Sequence, residues 1–222
     1  MKINLQEVVD FKSTYDYWNV GNSILYEMCQ KYPFHTDRAE IIAKVWLIGR
    51  SYAAQIERNK NNKNVSDDFY SDIVAPTFER GFDDLLTPIR ALSGKSLDRE
   101  DIPTILKAHH NAVQFIKKIT NDNKRSFVSK YFHFHFPNLF FIYDSRVANI
   151  INSVIGKLPQ EYKSILERCD QFDPIYGDFT LRCLYFMDYC NKENIPITLR
   201  EIDSFLIRKA NAKIARGRTA LV

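Results

Sequence analysis

Lysine 130 stands inside an aromatic run, and fourteen residues later an aspartate opens a helix: SFVSKYFHFHFPNLFFIYDSRVANII, residues 126–151. Taking an ammonium out of water is costly, so a lysine among rings needs a chemical reason to be there. Burial also lowers its pKa and makes the amine a nucleophile near neutral pH. Asp144 precedes the periodic stretch SRVANII, where free N–H groups and the helix dipole favour the anion. Together the two make a nucleophile and carboxylate pair within one segment.

The elements that position this pair read as helical. The 222-residue chain is 45% hydrophobic and 26% charged, and has only seven glycines and eight prolines. Folds with many tight turns need those two residues, so their scarcity points to helices. Twelve tyrosines and sixteen phenylalanines supply a ring-rich core. The fold expected is all-α, a compact helical bundle, with 1–222 as a single domain of two lobes (about 1–95 and 96–222) flanking a cleft. Apolar spacing predicts helices at about 13–31 and 36–58, the second capped by Thr36 or Asp37, with Ile41, Val45, Ile48, Tyr52 and Ile56 on one face. Others are expected at about 66–92 (broken near Pro76 and Pro88), 101–120, 126–135, from Asp144 or Ser145 onward, 159–169, 178–191 and 198–214. The Asn-rich stretch NKNNKNVSDD reads as a surface loop.

The segment 126–151 resembles the helix-hairpin-helix DNA glycosylases, in particular their 8-oxoguanine-glycosylase-like branch. Those enzymes set a catalytic lysine at a helix start, then a turn, then an aspartate capping the next helix. Here the pattern reads Lys130, Pro137, then Phe141-Ile142-Tyr143-Asp144-Ser145-Arg146-Val147. The resemblance covers about 26 residues strongly, and the rest only in its helical character. It implies that Lys130 attacks the anomeric carbon of a flipped nucleotide, while Asp144 stabilises the oxocarbenium-like sugar or activates the nucleophile. It implies double-stranded DNA with a damaged or modified base as partner, acted on by a monomer without a cofactor. The family's glycine-rich hairpin is missing. NDNKRS stands in its place, with Lys124 and Arg125 as backbone contacts, and the Lys130-to-Asp144 interval is about one helical turn shorter than the resemblance implies.

A base taken out of the stack needs a pocket of rings and polar groups. Phe134, one turn after Lys130, His133, Tyr52 and Arg58 are the lining residues expected, and Arg146 a phosphate contact. Core packing is the competing role for Phe134 and Tyr52, and an ion pair with Asp144 for Arg146. Net charge is only +4, but five basic residues fall in 117–130 and five in the last eighteen. Such patches suit a phosphate backbone. His133 and His135 lie two apart and cannot chelate one ion from a helix, and no further spacing completes a metal site. GRSY at 49–52 lacks the preceding strand of a phosphate loop, so Gly49 reads as a close-packing point.

Four cysteines without CxxC spacing fit a reducing compartment. No run is long and apolar enough to be a leader or membrane span, so the expected setting is the cytoplasm, on the nucleoid, without membrane contact. Two other classes stay open. One is a helical ribonuclease or toxin using Arg125 or Arg146 with His133 or His135. The other is a DNA-binding protein without catalysis.

Overall fold

The computed structural model describes residues 4–14, 16–57 and 69–219, with side chains to 215. The described residues form an all-helical bundle without strands. Its eleven α-helices are α1 (Leu5–Lys12), α2 (Asn19–Lys31), α3 (Arg38–Ser51), α4 (Ala75–Glu79), α5 (Phe82–Arg90), α6 (Ile102–Thr120), α7 (Arg125–His135), α8 (Ser145–Ile155), α9 (Gln160–Lys163), α10 (Pro174–Lys192) and α11 (Leu199–Thr219). No helix among them is long and apolar enough to cross a membrane.

Most predicted elements are present, and the differences have local causes. The first helix is not 13–31. Asn4 accepts from the Gln6 amide and starts α1, which ends at Lys12, and α2 begins only at Asn19. Asp37 caps α3 through the Glu40 amide, but α3 stops at Ser51, not 58. Ala53 turns into the left-handed region at φ 48°, and the Ala54 amide bonds back to the Gly49 carbonyl. The returning chain passes close to Gly49, where a Cβ would make ordinary van der Waals contact with the Gln55 Cα at 3.4 Å. The close approach at Gly49 is therefore that of its own returning chain. Ile56 is buried, but beyond the helix.

In the 66–92 stretch a π-helical segment, Phe69–Val74, leads into α4. The break falls at Arg80 and Gly81, while Pro88 lies inside α5. Its ring removes one donor without ending the helix, whose Phe82, Leu86 and Ile89 are anchored in the core. The 159–169 helix is a short α9 followed by a 3-10 turn, Ser164–Arg168. α10 starts at Pro174 rather than 178, because Asp173 accepts from the Ile175 and Tyr176 amides. Asp144 caps α8 as expected. Arg58 and the Asn-rich stretch lie outside the described residues.

α7 occupies the middle of the bundle, in contact with α2, α3 and α6. Residues 127–134 of this helix are all buried. Its far side is locked by a polar chain within the rings. The Asp83 carboxylate accepts from the His35 backbone amide (2.9 Å) and from His35 Nδ1 (2.8 Å), and Arg90 donates to it at 2.6 Å. Nδ1 thus carries the ring proton, and the Tyr131 hydroxyl donates to Nε2 at 2.7 Å. Lys44, wholly buried, donates to the Tyr32 and Phe34 carbonyls at 2.6 Å each and fixes the loop that carries His35. Tyr131→Phe leaves the buried His35 Nε2 without a donor. The expected loss is about 1–3 kcal/mol of stability, measured by urea unfolding. A loss near zero would mean that the chain does not hold α7.

Candidate active site

The near side of α7 carries Lys130, His133 and Phe134, which share a face by their three- and four-residue spacing. Lys130 is 2% exposed. Its Nζ donates to Ser126 Oγ at 2.6 Å and to the Tyr143 carbonyl at 2.8 Å. Ser129 Oγ accepts from the Tyr143 amide at 3.0 Å, so α7 holds both backbone groups of the residue that precedes Asp144. Burial pulls the Lys130 pKa down to about 8, against the attraction of Asp144 and Asp203. Two acceptors match the two N–H bonds of a neutral amine and leave its lone pair unengaged.

Asp144 is half-buried. Burial raises its pKa, but Arg146, through its guanidinium and its amide, together with the Lys130 charge brings it below the ordinary carboxylate range. Arg146 Nε and Nη2 each stand 3.1 Å from the carboxylate, and the Arg146 amide donates to it at 2.8 Å. The ion pair weighed for Arg146 is thus formed, with half of the side chain exposed. Lys130 and Asp144 feel each other's charge but form no ion pair, so neither neutralises the other.

A second carboxylate belongs to this group. Asp203 of α11 is 8% exposed, and Arg200 donates to it at 2.6 Å. Burial raises its pKa to about 6 against the attraction of Arg200 and Lys130. It borders a crevice with Phe141, Ile142, Val147 and Cys183 that is too narrow for a water molecule.

One helical turn along α7, three of the four predicted lining residues, Phe134, His133 and Tyr52, meet. Phe134 packs on Tyr26 and Tyr52, with ring centroids 4.8 and 5.2 Å apart. The Tyr52 hydroxyl donates to Asn22 Oδ1 at 2.7 Å, and Arg200 lies over the Tyr52 ring at 5.7 Å. His133 is wholly buried and has both ring nitrogens occupied. Nδ1 donates to the Phe140 carbonyl at 2.8 Å, and Nε2 accepts from the Tyr26 hydroxyl at 2.6 Å. His135 points the other way, towards His35 and Tyr131.

Lys124 and Arg125, expected on the DNA backbone, turn to carboxylates of the protein. Lys124 pairs with Asp122 at 3.1 Å, and Arg125 with Asp173 at 2.7 Å. Neither side chain is more than one-fifth exposed. Asn22, Tyr26, Arg200 and Asp203 were not singled out in the sequence. Asp203 had a readable signal, since it shares an apolar face with Leu206 and Ala210, both fully buried. A carboxylate on such a stripe is rare enough to mark. Among the described residues no three His, Cys, Asp or Glu side chains are placed to hold a metal ion.

The buried imidazoles make stability depend on pH. Burial lowers the pKa of His35 and His133 to about 4 and that of His109 to about 3. In the unfolded chain each takes its proton near pH 6.5, so between these values the unfolded state binds more protons and stability is lost as the pH is lowered. Urea unfolding should show a loss on the order of several kcal/mol between pH 6.5 and pH 4. A flat profile over that window would show that these rings are not held neutral.

No protein-family model, curated protein or solved structure matches the chain.

Proposed function

We propose that this protein cleaves N-glycosidic bonds in double-stranded DNA, with Lys130 as the nucleophile and Asp144 as the stabilising carboxylate. The observation that carries the reading is a buried amine of lowered pKa beside a carboxylate that does not pair with it. At pH 7 about a tenth of Lys130 is neutral, given a pKa of about 8. Its lone pair forms a bond to C1′ as the C1′–N bond breaks, and the electron pair leaves with the base, which takes up a proton. The Asp144 anion offsets positive charge on the sugar as that bond stretches. Ring opening then gives an iminium on Nζ, the species that borohydride reduces to a stable link.

Arg146 covers Asp144 and is the exposed member of the group, so it moves to a phosphate as substrate approaches. The ring-lined site one turn away on α7 receives the base. The ribonuclease alternative loses support from His133, whose two nitrogens are engaged inside the protein, and from Arg125, paired with Asp173. The test is release of free base from duplexes carrying oxidised, alkylated or deaminated bases. Release from one of them supports the reading. DNA binding without release from any would favour a protein that binds without catalysis.

A further inference from the structure

The chain entering α2 presents rings to solvent on a fixed backbone. Tyr17 is 86% and Trp18 74% exposed, and Val20 and Ile24 stand open after them on α2. The Trp18 amide donates to Asp16 Oδ1 at 2.9 Å, and its carbonyl accepts from the Asn22 amide at 2.9 Å. Asn22 in turn takes the Tyr52 proton, which anchors this end of α2 to the rings on α7. A large ring held in solvent adds nothing to the core, and clusters of exposed apolar side chains mark contact surfaces.

Cations without carboxylates adjoin these rings. Arg208 of α11 is exposed and donates to Thr14 Oγ1 at 3.4 Å, four residues before Trp18. Among the described residues neither Arg208 nor the exposed Lys213 forms an ion pair, whereas Lys209 pairs with Glu7. Asp16, the carboxylate nearest Trp18 in sequence, is engaged with the Trp18 amide. Asn211 follows Arg208 by three residues on the same face of α11 and lies 3.5 Å from Arg146 Nη1. A continuous line thus crosses the surface from Arg146, beside Asp144, over Asn211 and Arg208 to Thr14 and the rings. The basic run of the last helix, which the reaction leaves unused, supplies its charge.

We propose that this line carries a single strand of nucleic acid leaving the duplex, with a base stacked on Trp18 and a phosphate on Arg208. Stacking needs the open face of a base, and within a duplex the neighbouring bases cover both faces. An exposed ring beside an unpaired guanidinium is the combination that holds unpaired strand with little regard to sequence. An apolar protein partner would cover the rings and leave Arg208 unmatched. The inference rests on the glycosidase reading for the duplex beside it, but not for its own binding chemistry.

The experiment compares a blunt duplex with the same duplex carrying a single-stranded oligothymidylate tail, by anisotropy of a fluorescein label. The tail should raise affinity about ten-fold. Trp18→Ala, at a position outside the core, should cancel that gain and leave blunt-duplex affinity in place. Arg208→Gln should make the slope of log K against log salt shallower by about 0.7 for the tailed duplex. Trp46→Phe leaves Trp18 as the one tryptophan of the chain, and oligothymidylate should quench its emission. Equal affinity for tailed and blunt duplexes overturns the inference, as does a tail gain that survives Trp18→Ala. Self-association that depends on Trp18, without quenching by oligothymidylate, overturns it in favour of a second copy of the chain. A tail gain that follows Trp18, with no base released from any DNA, keeps this surface and removes the glycosidase. Base release without a tail gain does the reverse.

Discussion

Asp144→Asn should lower base release by about 100- to 1,000-fold while leaving the fold in place. That range is typical for removing one preorganised electrostatic group from a water-poor site. The substitution separates the two tasks of this residue. As a cap Asn equals Asp, so the Arg146 amide keeps its acceptor and α8 keeps its start. The negative charge is gone, and with it the partner of the Arg146 guanidinium. Unfolding free energy should therefore move by about 1 kcal/mol or less, and DNA affinity should hold or rise as Arg146 is released. Equal release rates in variant and parent on a responsive duplex would remove Asp144 from the chemistry. A large loss of stability would show it to be mainly structural.

Lys130→Gln should abolish borohydride trapping altogether, because an iminium requires a primary amine. Glutamine has nearly the length of lysine, and its amide can still donate to Tyr143 or Ser126, so α7 retains a tie to the segment before α8. Strand nicking that depends on the covalent link should vanish with it. Trapping that persists would assign the nucleophile to another amine. Base release at the parent's rate without trapping would assign the attack to water and leave Lys130 as a buried support for Tyr143.

The elements around this pair differ in how plainly the chain announces them. α6 carries Ile102, Ile105, Leu106, His109, Val113 and Ile116 on one face, and every one is buried. Asp37 and Asp144 cap helices where short polar side chains precede an apolar period. Periodicity does not see backbone reversals that depend on contacts within a turn. The left-handed Ala53 ends α3 although the apolar spacing runs on to Ile56, and the Asn4 cap starts a helix in a stretch of weak pattern.

The site divides in the same way. Lys130 and Asp144 stand close in sequence, and the rings between them reveal their surroundings. Asn22, Tyr26, Arg200 and Asp203 come from α2 and α11, and only tertiary packing brings them to α7. The basic character of Lys124 and Arg125 suggests a phosphate surface, while their partners Asp122 and Asp173 account for both. Charge counted along a chain does not say which carboxylate folds back on it.

The burial of α7 on every side has a consequence for how such a site can change. A side chain held at both ends loses its rotamer freedom when the chain folds, so none is left to lose when a substrate arrives. Lys130, tied to Tyr143 and Ser126, is in that position, and Tyr131 on the opposite face is tied to His35. Most replacements within 127–134 therefore trade activity against folding at once. α2 and α11 border this group with partly exposed residues, but Leu25, Cys29, Ile202 and Phe205 of the same helices stand in the core, so only their exposed positions vary without disturbing α7.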